Sequence, residues 1–172
     1  MLSMWVADMD FRTADPIVNS LRKRVDRGIF GYAFITEAYL NAVQGWMKRH
    51  HGYQIEHDWI VPTIGIVPAL SMIVRKFSSP GEKVLIQRPV YYPFSNAIKN
   101  NDRSVLCSPL KLENNRYQMD LEDLEEKAAD PEVQLMILCT PHNPVGRAWS
   151  FEDIQKVGGI CLKHQVLLVA DE

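Results

Sequence analysis

A segment such as Val133-Gln134-Leu135-Met136-Ile137-Leu138 leaves a chain few options. Apolar residues run through it without the alternation of a half-solvated strand, so both faces must be covered. Shorter runs at Lys83–Gln87, Ser104–Cys107 and Val166–Ala170 share this character. Helical patterns lie between them. They are Pro68–Phe77 opened by Gly65-Ile66-Val67, Tyr92–Asn100, a helix capped by Asp120 and reaching Ala128, and one from the Ser150/Asp153 capping pair to His164. Strands separated by helices predict an α/β fold: a mostly parallel sheet with helices on both faces. A helical segment precedes it. Asp15 caps and Pro16 opens its first helix, with Ile17, Val18, Leu21 and Val25 as an apolar stripe and Gly28 as the end. A second helix runs from Thr36 to His51 and stops at Gly52, and Trp59-Ile60-Val61 reads as a short extended piece.

In sheets of this kind ligands gather outside the carboxyl ends of the strands. Four segments there carry chemistry. Gly65-Ile66-Val67 opens a helix, where free backbone N–H groups suit a phosphate, although an ordinary helix start needs the same glycine. Arg88-Pro89-Val90-Tyr91-Tyr92-Pro93 puts two tyrosines on a stiffened loop, either to stack on a flat ring or to pack beneath the loop. CTPHNPVGR (139–147) holds Asn143 between prolines, so its amide is either aimed at a ligand oxygen or spent on an Asx-type turn. His142 beside it reads as structural. Asp171 ends the last apolar strand, where a carboxylate must be paired; it either holds a protonated ring nitrogen or caps a following helix. Taken together, a phosphate nest, a stacking tyrosine, an amide for a ring substituent and a carboxylate for a ring nitrogen suit one cofactor, pyridoxal 5'-phosphate.

Composition removes other classes. The formal net charge of −2 gives no reason to expect nucleic acid or an acidic membrane as partner. Hydrophobic content of 47% and charged content of 23% are those of a globular protein, and no apolar run is long enough to span a bilayer. Cys107, Cys139 and Cys161 are odd in number and show no metal-ligand spacing, so they read as reduced core thiols of a cytoplasmic protein, with no metal site.

MWVADMDF (4–11), FGYA (30–33), GIVPAL (65–70), RPVYYPF (88–94), CTPHNPVGR (139–147) and VADE (169–172) together resemble the fold-type I pyridoxal-phosphate enzymes, the aminotransferase class I/II superfamily. Within it the MWVADMDF segment is most similar to the MalY/PatB cystathionine β-lyase subgroup. The resemblance implies that the amides of Ile66 and Val67, next to Gly65, hold the cofactor phosphate, and that Tyr91 stacks on the ring, with Tyr92 as the alternative. It implies that Asn143 binds the phenolic oxygen, that Asp171 keeps the ring nitrogen protonated, and that Tyr32 reaches the phosphate of the other subunit of a homodimer. Trp5, Val6, Ala7 and Asp8 are implied to line the substrate's side, the substrate being a small amino acid. Residues 1–52 would then belong to a small-domain and interface region, and 53–172 to a partial cofactor-binding large domain.

The resemblance also implies a Schiff-base lysine in a serine-rich segment beyond the final aspartate, and a later arginine for the substrate carboxylate. None of the nine lysines matches that motif. The chain therefore reads as a fragment, expected to be inactive and poorly stable alone. Its parent is expected to be a carbon–sulfur β-lyase, with a class I/II aminotransferase and a non-catalytic, regulatory or remnant domain as the other readings.

Overall fold

The apolar runs become strands, but only the two central ones are buried nearly throughout; those at Ser104–Pro109 and Leu167–Asp171 lie at the sheet's edges and are covered only in part. In the computed structural model, which describes residues 7 and 9–172, β5 (Val133–Cys139) pairs in parallel with β1 (Lys83–Arg88) and β6 (Leu167–Asp171). β2 (Ser104–Pro109) adds beyond β1, giving the parallel order β2-β1-β5-β6. Leu135, Met136, Ile137 and Leu138 are each at most 1% exposed because layers cover both faces of β5. On one side Val84, Ile86, Leu135 and Ile137 pack with Leu70 and Val74 of α3 (Ile66–Phe77) and with Phe94, Ala97 and Ile98 of α4 (Pro93–Lys99). On the other, Leu85, Met136 and Leu138 pack with Leu124 and Ala128 of α5 (Leu121–Ala128) and with Val157 and Cys161 of α6 (Phe151–Lys163). Burying a Leu, Ile or Met at such positions typically contributes about 2–5 kcal/mol relative to Ala.

Local chemistry sets the helix starts. Ser150 Oγ accepts from Asp153 N at 3.1 Å while Asp153 Oδ2 accepts from Ser150 N at 3.1 Å, a complete capping box. Asp120 Oδ1 accepts from Asp123 N at 3.3 Å, and its other oxygen meets Lys111 Nζ at 2.7 Å.

Lys111 belongs to an antiparallel ribbon absent from the sequence-based expectation, β3 (Lys111–Glu113) and β4 (Arg116–Gln118), turned by Asn114 and Asn115 at φ 49° and 59°. Two asparagines in left-handed conformation match a type I′ hairpin, but strands of three residues carry little periodicity to read. Three other expectations are corrected. Asp15 is the first helical residue of α1 (Asp15–Asp26) and the cap position is Ala14, because the Asp15 carboxylate accepts from Arg12 at 2.6 Å instead of from its own helix. Trp59-Ile60-Val61 is not simply extended, since His57–Trp59 forms a 3-10 turn closed by Ile60 N donating to His57 O at 3.2 Å. α3 already begins at Ile66.

The backbone groups into two units, Met1–Val61 and Pro62–Glu172, with the break after Val61 where the sequence reading put it after Gly52. Residues beyond Gly52 stay with the first unit because Gln44 Nε2, on α2 (Glu37–His51), donates to Ile55 O at 2.6 Å and Glu37 lies 3.4 Å from His57. Within that unit the stripe Ile17, Leu21 and Val25 is exposed. Gly52 ends α2 at φ 64°, as a left-handed C-terminal glycine does. No helix among the described residues is long and apolar enough to cross a membrane.

Candidate functional site

Parallel strands finish at one end, so β1, β5 and β6 deliver Arg88, Cys139 and Asp171 to the same edge of the sheet. α3 hands its chain to β1 through the short turn 78–82, which brings the α3 N-terminus to that edge as well. Pro68 has no N–H, and Ala69 N donates to Gly65 O at 3.3 Å, so Ile66 and Val67 carry the free first-turn donors. Gly65 precedes them at φ 151°, a conformation that strongly favours glycine.

Tyr91 is an anchored but open ring. It stands edge-on to the fully buried Phe94, with centroids 6.1 Å apart and planes at 83°, and remains 36% exposed. Tyr92 is 72% exposed and occupies the cap position of α4. Asn143 and Asp171 come together around Cys139. The Asn143 N–H donates to Cys139 Sγ at 3.4 Å, Cys139 Sγ lies 4.0 Å from Asp171 Oδ2, and Thr140 N donates to Asp171 O at 2.9 Å. The Asn143 side chain is exposed and has no hydrogen-bond partner among the described residues.

Electrostatics mark the same place. Burial raises the Asp171 carboxyl above the ordinary carboxylate range, and no cationic side chain pairs with it among the described residues. Burial raises the Cys139 thiol, the Asp171 charge adds to this, and the Asn143 amide opposes it. Several lysines are engaged with other carboxylates: Lys83 starts β1 at the opposite edge, 2.7 Å from both Asp130 and Glu132, and Lys111, Lys127, Lys156 and Lys163 pair with Asp120, Asp123, Glu152 and Glu125.

His142 has the structural character read from the sequence. It is 1% exposed, stacks edge-on to Trp149 at 5.4 Å, and closes the 142–147 turn through its N–H to Arg147 O at 2.6 Å. Trp149 Nε1 in turn donates to Cys139 O at 3.0 Å, and the Arg147 guanidinium lies 4.8 Å over the Trp149 ring. Cys139 and Phe94 were not singled out as site residues. Their roles depend on strand register and helix packing, which one sequence does not display.

Gly65, Ile66, Val67, Tyr91, Asn143 and Asp171 thus share one end of the sheet. Tyr32 lies in the first unit and is fully exposed, Ala7 is exposed, and Trp5, Val6 and Asp8 lie outside the described residues. No group of three or more His, Cys, Asp or Glu that could hold a metal ion occurs among the described residues.

A parallel sheet with helices on both faces defines an open α/β domain. More narrowly, the chain belongs to the aminotransferase class I and II family, whose model matches residues 9–172. It is similar to the cystathionine beta-lyase PatB of Bacillus subtilis, 48% identical over 99% of this chain and 44% of that protein. It is also similar to the protein MalY of Escherichia coli, 32% identical over 100% of this chain and 44% of that protein. Among solved structures, cystalysin from Treponema denticola, which contains a pyridoxal 5'-phosphate cofactor, matches with a TM-score of 0.93 and 41% identity, over 97% of this chain and 42% of that one. The chain thus spans about 44% of the length of the curated relatives it matches.

Proposed function

We propose that this chain is the cofactor-seating part of a pyridoxal-phosphate-dependent carbon–sulfur β-lyase. The reaction is cleavage of L-cystathionine or another cysteine S-conjugate to a thiol, pyruvate and ammonia, with water consumed. The observation that carries the reading is the common sheet edge of the Ile66 and Val67 amides, Tyr91, Asn143 and Asp171. The donor set fits the group. Two unclaimed N–H groups at a helix start suit its phosphate, the open Tyr91 face suits its ring, and the free Asn143 amide suits its phenolic oxygen. A half-buried Asp171 lacking a cation suits a protonated ring nitrogen. When bound, the cofactor supplies a protonated ring that draws electrons from the substrate α-carbon. Asp171 would hold the proton on that nitrogen, and Asn143 and Tyr91 would fix the plane of the ring.

The β-lyase is preferred to the aminotransferase because the names of PatB and of several other relatives denote cystathionine β-lyases. The substrate would be met on the side of Trp5, Val6, Ala7 and Asp8, and Tyr32 would serve the second subunit of a homodimer. Five of the nine lysines, Lys83, Lys111, Lys127, Lys156 and Lys163, are engaged with carboxylates, and on this reading the chain by itself seats the cofactor without turning over substrate. The test has two parts. The chain should bind pyridoxal 5'-phosphate with induced circular dichroism in the cofactor's absorption band, and Asn143→Ala and Asp171→Asn should weaken binding. The protein carrying the remaining part of the fold should release pyruvate from L-cystathionine with no keto acid added; turnover that requires a keto acid would establish the aminotransferase instead.

A further inference from the structure

Two loops carry the ring contacts just described, the one after β1 with Tyr91 and the one after β5 with Asn143, and a single buried side chain ties them. His142 Nε2 lies 2.9 Å from the carbonyl oxygen of Pro89, 53 residues away in sequence. Pro89 is two residues before Tyr91, and His142 is adjacent to Asn143.

We infer that His142 is a positioning residue, a neutral strut whose Nε2–H holds the Tyr91 and Asn143 loops at the separation the cofactor ring requires. This rests on the cofactor reading above. A carbonyl oxygen only accepts, so Nε2 carries the proton and Nδ1 is left bare. Nδ1 is buried and makes no hydrogen bond of good geometry, the nearby Cys139 carbonyl accepting instead from Trp149 Nε1, an arrangement unfavourable unless the ring is held there for the Nε2 contact. The edge-on Trp149 ring and the 142–147 turn fix its orientation, and Trp149 is itself fastened to Cys139 O, the residue at which Asn143 and Asp171 meet. Burial lowers the affinity of the ring for a second proton, outweighing the carbonyls of Pro89 and Cys139, and so keeps the strut neutral. Loss of the bond would let Tyr91 and Asn143 drift independently while leaving the α3 N-terminus untouched.

The probe is pyridoxamine 5'-phosphate, which forms no imine with lysines and so reports non-covalent seating alone. Its affinity is measured by calorimetry for the unaltered chain, His142→Phe and His142→Gln. Phe keeps an aromatic ring against Trp149 but has no N–H; Gln can place an N–H near the Nε2 position. The expected result is about a tenfold loss for His142→Phe, recovery to within about threefold for His142→Gln, and no change in competition by inorganic phosphate, one hydrogen bond being of that size. Equal losses in both variants, no loss in either, or a parallel loss of phosphate competition would overturn the strut. Should His142→Phe not fold, nitrogen-15 NMR of the unaltered chain decides: Nε2 protonated with Nδ1 bare supports it, and the opposite tautomer removes it. Failure of the unaltered chain to bind the probe, with the Nε2–H in place, overturns the cofactor reading and the positioning role with it, whereas the variant results above overturn the strut alone.

Discussion

Replacing Asp171 by Asn should make the ligand-free chain more stable and its cofactor binding weaker. Asp171 ends β6 with its carboxylate half-buried, 4.0 Å from Cys139 Sγ and without a cation among the described residues. Leaving a buried polar group unmatched costs roughly 1–3 kcal/mol, more for a charge, and partial exposure puts this site near the low end, about 1 kcal/mol. In a domain of this size that is a rise of about 2–4 °C in Tm at pH 7. The sign on pH follows from burial raising the carboxyl above its ordinary value. The folded chain holds this proton more tightly than the unfolded one, so stability from this group is fully present below the unfolded value of 3.8 and lost as pH rises through the folded value. The advantage of Asp171→Asn should therefore be largest near neutrality and shrink on acidification, as read by thermal unfolding monitored by circular dichroism at several pH values. In parallel, the loss of a charge-assisted contact of roughly 1.5–3 kcal/mol should weaken pyridoxamine 5'-phosphate by about tenfold to a hundredfold. A variant less stable than the parent at pH 7, or a stability difference independent of pH, would refute the account of Asp171 as an unpaired carboxylate awaiting a cation.

Other outcomes follow from the same geometry. Asn143→Ala should leave Tm essentially unchanged, because its side chain is exposed and unbonded, yet weaken the same ligand by about tenfold in calorimetry. Ser150→Ala removes one half of the capping box and should lower stability by about 1 kcal/mol in urea unfolding, with affinity for the ligand retained. Native-state titration with a thiol reagent at pH 8 should label Cys107, which is partly exposed, well before Cys161, which is buried and whose thiol is pushed up to about 11; labelling of Cys161 first would mean that the packing of α6 on β5 is wrong.

The sheet was legible in the sequence because β5 has to be buried on both faces, and an uninterrupted apolar run of that length has few other uses. The capping chemistry was legible for a similar reason: Asp120 and Ser150 act within three residues of themselves, where spacing along the chain is spacing in space. Asp15 shows the limit even there, since a competing partner three residues upstream took its carboxylate. The candidate site divides along the same line. Gly65, Tyr91, Asn143 and Asp171 could be named because each stands at a strand end or helix start, a position periodicity locates. Phe94, Cys139 and His142 could not be given their roles, because each acts on a partner fixed by tertiary packing or by strand register: Phe94 on the ring of Tyr91, Cys139 on Asp171 across a parallel ladder, His142 on Pro89 across the sheet edge. The groups proposed to touch the ligand can thus be singled out one at a time from their own segments. The groups that make them one site are pairwise, and become visible only when β1, β5 and β6 are laid side by side.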